Sequence, residues 1–255
     1  MDASSSLAIL LGLAGLAWGV VADRISARWP DHLPDDEADD APGEAPTPAS
    51  AGPAASVSEP AVPGSPPPVR GQPVAPEPPR GIGWRTAVVA LVGAGSLAGV
   101  GLRFDEPHEI VLFGAWAVVL VLLLATDLDQ RLLPDALTLP LIPAAAVVGL
   151  AGLNPLVSDG MLLSAIAAVA FPLGLYLLSI PFGPGAIGMG DLKLLVSVGL
   201  TLGLLRTFSG IAVGALLSGV VVMVLLVVRV IDRRSYIPYG PFLILGTLWA
   251  ALVTP

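Results

Sequence analysis

Residues 113–135 read FGAWAVVLVLLLATDLDQRLLPD. An apolar run with no charge reaches Thr126 and then meets three carboxylates, Asp127, Asp129 and Asp135. Extended back to residue 109, the run approaches the roughly 20 residues that a spanning helix needs. Working outward, comparable runs fall at about 5–22, 84–102, 136–152, 161–180, 192–205, 208–229 and 237–254. The reading is all-α: a polytopic membrane protein with about eight transmembrane helices, the one at 192–205 short. Glycines inside these runs cost less than in a soluble helix and let helices approach closely.

Composition agrees. The chain is 55% hydrophobic and only 13% charged, which is membrane composition rather than soluble composition. The net charge of -8 describes one segment, since ten of the twenty acidic residues lie within 23–83. No basic stripe exists to neutralise phosphates, so nucleic acid is excluded as a partner. The absence of cysteine excludes disulfides, thiolate metal sites and a cysteine nucleophile. The first apolar stretch, Ser5 to Val21, has no basic residue before it and is followed by Asp23, Arg24 and Arg28. It reads as a retained membrane helix rather than a removed signal peptide.

Three parts follow: 1–29, a first helix with a basic exit; 30–83, a linker; and 84–255, a membrane core. The linker holds fifteen prolines between Pro30 and Pro79 and few large apolar side chains. It has little to bury against the entropy of ordering its backbone, and is expected to be a disordered cytoplasmic loop. With the amino terminus outside, ten of the twelve basic residues fall on the cytoplasmic side, and only Arg103 and Arg206 on the other. That split follows the positive-inside rule. It puts Asp127, at the end of the third helix, and Asp191, at the start of the sixth, on the same side of the membrane.

A carboxylate at membrane depth is expensive, and a pair of them marks a functional site. Two carboxylates close enough to share one proton can split a peptide bond: the ionised member takes a proton from water while the protonated member polarises the carbonyl. Around Asp191 the segment IPFGPGAIGMGD is a poor helix interior, and Gly188 and Gly190 allow close approach beside the carboxylate. The bland alternative for Asp191 is a helix N-cap. Asp135 follows Pro134 and reads as a cap, while Asp129 points to another helical face and is expected to pair with Arg131 or meet the headgroups. Asp127, nearest the apolar body, has the better claim, although spacing alone favours it only modestly over Asp129. Lys193 reads as a snorkelling anchor. Arg229, Asp232, Arg233 and Arg234 read the same way, while Trp84, Trp116 and Trp249 read as interface or packing residues. His108 falls in an outer loop and His32 lacks ligand spacing, so no metal and no cofactor is expected.

Together these motifs become specific. TDLDQRLLPDALTLP, followed by GMGDLKLL 64 residues after Asp127 and later by YGPFLILG at Tyr239 to Gly246, resembles the prepilin peptidase family of membrane aspartic peptidases. The resemblance is best over 109–254. It implies that Asp127 and Asp191 are the catalytic pair, and that the partner is a type IV pilin-like precursor cut at the cytoplasmic membrane face between a basic leader and a hydrophobic helix. Many bacterial members also methylate the new amino terminus, using a domain with paired CxxC motifs. Here that position holds the cysteine-free linker, so peptidase activity alone is expected. Two other readings use the same residues: an ion-coupled transporter with the acids as a proton relay, disfavoured by the lack of a clear repeat of broken helices, and a scaffold whose proline-rich loop recruits a partner. Nothing in the residues sets an oligomeric state.

Overall fold

The computed structural model describes residues 3–29, 81–157, 160–183, 187–229 and 239–254. The described residues are helical: α1 (Ala3–Ser26), α2 (Trp84–Arg103), α3 (Pro107–Gln130), α4 (Asp135–Leu150), α5 (Met161–Ser179), α6 (Met189–Val227) and α7 (Gly240–Leu252). Five of them, α1, α2, α3, α5 and α6, are long and apolar enough to cross a membrane, and α4 and α7 are shorter apolar helices. The linker expected over 30–83 lies outside the described residues except for 81–83, as do Asp232, Arg233 and Arg234.

α3 is the central element. Its 24 residues span about 36 Å at 1.5 Å per residue, and every residue from Leu120 to Asp127 is buried. A helix that is apolar all round belongs inside a bundle, and α3 packs on α1, α2 and α7. The Trp18 indole N–H donates to the Val118 carbonyl at 3.0 Å, tying α1 to the middle of α3. Phe104 stacks on Phe113 at 4.3 Å, and Trp116 meets Phe113 edge-on, closing the turn between α2 and α3.

Where apolar helices meet without water to drive them together, small residues set the contact. A Cβ on Gly15 of α1 would run into the Gly93 carbonyl of α2, whose carbon lies 2.6 Å away. A Cβ on Gly199 of α6 would sit 2.6 Å from the Ala168 backbone of α5.

The sequence runs at 192–205 and 208–229 both fall in α6, which is broken at Gly203, where φ is 73° and ψ -174°. Beyond the break the chain turns back. Gly199 lies against Ala168 and Gly203 faces Ser164 of α5, whereas Gly210 lies against Gly246 and Gly214 against Phe242 of α7. The eight apolar runs are therefore present, two of them joined at a glycine kink.

Helix ends sort into two groups. Arg103 donates to the Thr254 carbonyl at 3.2 Å. Arg206 donates to the Leu156 carbonyl, and Asn154 to that of Thr201 at 2.8 Å. These contacts gather Arg103 and Arg206 away from the end that carries Asp127 and Asp191. Because the Gly15 neighbour is backbone that cannot step aside, Gly15→Leu is expected to lower stability by about 1–3 kcal/mol, read as an earlier thermal transition of the protein in detergent.

Candidate active site

α3 ends in a left-handed residue, Arg131 (φ 58°), whose N–H caps the Asp127 carbonyl at 2.9 Å. Asp127 thus sits in the last turn of α3. It is 4% exposed, and its Oδ2 is buried without a hydrogen-bond partner. The chain then runs through Leu132–Pro134 into α4.

On the other side, Gly188 is the N-cap of α6 and Asp191 lies in the first turn, its N–H donating to the Gly188 carbonyl at 3.1 Å. Asp191 is therefore not the cap that sequence offered as its bland alternative. Gly190 brings the two segments into contact: a Cβ there would lie 2.8 Å from Leu133 Cβ and 3.1 Å from the Leu133 carbonyl. Its smallness serves the meeting of LLPD with GMGD.

The third wall comes from α7, whose first residue is Gly240. A Cβ on Gly240 would overlap Asp127 Oδ2 and stand 3.0 Å from Asp191 Oδ1. Both carboxylates therefore converge on one methyl-sized volume. Beside it, burial and then the charge of Asp191 raise the Tyr239 phenol above its ordinary pKa. Tyr239 and Gly240 are residues that sequence reasoning passed over. The signal was present in YGPFLILG, but a glycine that opens a helix after a tyrosine has no chemistry of its own to flag it.

The other acids are placed elsewhere. Asp129 pairs with Arg85 of α2 at 2.7 Å, rather than with Arg131 or the headgroups, because it lies about 200° around the helix from Asp127. Asp135 is the first residue of α4, with Pro134 as the cap and no side-chain capping bond. Its carboxylate instead accepts from Lys193 Nζ at 2.6 Å. Lys193 is thus engaged in an ion pair rather than serving only as an anchor. His108 is exposed at the start of α3, at the far end from Asp127.

Residues 114–228 match the type IV leader peptidase family. Curated relatives include the prepilin leader peptidase/N-methyltransferase of Xanthomonas campestris pv. campestris, 32% identical over 124 residues covering 49% of this chain and 43% of the relative. That of Aeromonas salmonicida is 34% identical over 139 residues, covering 53% of this chain and 46% of the relative. That of Burkholderia pseudomallei is 33% identical over 168 residues, covering 65% and 53%. The chain spans about half the length of the curated relatives it matches. No solved structure matches it significantly.

The Lys193–Asp135 pair is short but open to solvent, its side chains 32% and 50% exposed. Exposed pairs of this kind contribute about 0–1 kcal/mol. Lys193→Met is therefore expected to move the thermal transition only slightly, by less than about 1 kcal/mol in unfolding free energy. Both aspartates lie inside the segment, residues 114–228, that matches the type IV leader peptidase family.

Proposed function

We propose that this protein is an aspartic endopeptidase that removes the basic leader from type IV pilin-like precursors, with Asp127 and Asp191 as its reacting pair. The observation that carries the reading is the convergence of both carboxylates on the space beside Gly240. Like charges so close cannot both be comfortably ionised in a low-dielectric setting, so the pair holds one proton between them. The ionised carboxylate takes a proton from water as the water oxygen attacks the scissile carbonyl, while the protonated carboxyl donates to the developing oxyanion. Collapse of the tetrahedral intermediate breaks the C–N bond, and the proton taken from water passes to the leaving amine. The pair acts as a unit, so base and acid are roles of the dyad rather than fixed to one residue.

Asp191 is part-exposed while Asp127 is buried. The dyad thus opens to water from the α6 side and is walled by α3 and α7 on the other. A site at the end of the bundle suits a substrate whose hydrophobic helix stays in the bilayer while its leader lies in the aqueous phase. We place this end at the cytoplasmic face of the cell membrane, following the basic residues, and we take residues 30–83 as a linker outside the peptidase core.

Cleavage of a pilin precursor, read by mass in membranes free of other prepilin peptidases, tests the proposal. Asp127→Asn and Asp191→Asn should each lower cleavage at least about a thousandfold, as expected for residues acting as a unit, with membrane insertion unchanged. Full processing by either variant would sink the assignment. Gly240→Ala should lower kcat by about a hundredfold, since a displacement near 1 Å at the reacting atoms has that cost. With S-adenosylmethionine present, the product mass should show cleavage without an added methyl group.

A further inference from the structure

We infer that the two amino-terminal helices are a positioning element for Asp127, acting through an ion pair between Arg85 of α2 and Asp129 of α3 and through hydrogen bonds from Gln130 to the end of α1. The inference rests on the dyad reading above and concerns residues on the opposite face of α3 from the reacting pair.

Asp127 occupies the last turn of α3, where a helix has exhausted its own hydrogen bonds and ends loosely unless held. Two of the next three residues supply the hold. Arg85 Nη1 meets Asp129 Oδ1 at 2.7 Å, with side chains only 22% and 9% exposed. Gln130 Nε2 donates to the Ser26 carbonyl at 3.3 Å and to the Trp29 carbonyl at 3.1 Å. The base to which they attach is itself fixed. Thr86, next to Arg85, donates to Asp23 Oδ2 at 2.7 Å and accepts from the Gly83 N–H at 3.3 Å. Asp23 is 1% exposed, and the Ser26 hydroxyl bonds back to its carbonyl at 3.0 Å. α1 and α2 are thereby locked to each other and to the turn that carries Asp127.

The geometry makes this turn a lever. Asp127 faces α7 and Asp129 faces α2, so a change in the hold on Asp129 moves Asp127 with it. The hold is also difficult to replace. Arg85 Nε and Nη2 are buried without an acceptor among the described residues, so removing the carboxylate at 129 leaves an enclosed guanidinium without this counter-charge. Arg85, Asp129 and Gln130 are positioning residues, since none of them reaches the reacting atoms.

The test uses the full chain in nanodiscs with a precursor peptide. Asp129→Asn and Arg85→Met should lower kcat by about tenfold to a hundredfold, the cost of a reacting group displaced by about 1 Å, while KM stays within about twofold, as expected when ground-state binding is untouched. Exchanging the charges, Arg85→Asp with Asp129→Arg, should recover most of the lost kcat, whereas Asp127→Asn should recover in no background. Unchanged kcat in both single variants would overturn the inference. So would an Asp129→Asn protein that inserts normally, is as inactive as Asp127→Asn and is not rescued by the exchange, because Asp129 would then belong to the reacting pair.

A second measurement covers variants that fold poorly and needs no cleavage. The chain has no cysteine, so Asp127→Cys with Asp191→Cys creates one defined pair whose crosslinking by a short bis-maleimide reports the spacing of the dyad. Adding Arg85→Met should slow that crosslinking several-fold, and an unchanged rate would overturn the clamp. Should the unaltered chain fail to cleave any pilin precursor, the dyad function falls, while the crosslinking rate still decides whether α1 and α2 set the spacing.

Discussion

Two carboxylates held against one glycine are the constraint on which the rest of the structure depends. Bringing Asp127 and Asp191 to the same methyl-sized volume beside Gly240 requires three helix ends to meet at one point. Left to themselves, like charges drift apart and enclosed charges seek water. The arrangement persists because the helices behind it are fixed by close backbone packing and, at the end of α3, by the Arg85–Asp129 ion pair.

Those contacts are largely the work of small residues. The close approaches at Gly15, Gly199, Gly210 and Gly246 are met by backbone or by another glycine. Such contacts replace the hydrophobic drive that lipid-surrounded helices lack with van der Waals contact between main chains. The same device operates at the site, where Gly190 lets α6 begin against Leu133 and Gly240 lets α7 begin against the dyad. Packing and chemistry therefore draw on one rule: where a Cβ is absent, backbone and side chain can meet.

This division explains what was legible in the sequence. The apolar runs were legible because bilayer thickness imposes a length that any window can read. The two aspartates stood out because a carboxylate at membrane depth is costly. What the runs could not display was pairing across distance. Nothing near Asp129 points to Arg85, 44 positions away, and a local reading turned instead to Arg131, which proves to be the left-handed cap of α3. Lys193 showed the same failure, since an anchoring role follows from one helix end while its partner Asp135 belongs to another. The two runs part in the sequence at residues 206–207, a few positions past the actual break at Gly203, and gave no sign that the chain folds back there. Gly240 was hidden for a different reason: its contribution is an absent atom.

The clamp on Asp129 bears on where the functional unit ends. The matched segment 114–228 contains both aspartates but neither Arg85 nor Gly240. The wall of the site thus comes from α7 and the hold on Asp127 from α1 and α2, all outside the matched stretch. A carboxylate in the final turn of a helix has no further turn to stiffen it, and Arg131 caps it with a single backbone bond. Ion pairing and amide bonding from neighbouring helices supply the stiffness that the helix end lacks. Because Ser26, Trp29, Gly83 and Arg85 all take part, both flanks of the proline-rich segment are tied to the turn that carries Asp127.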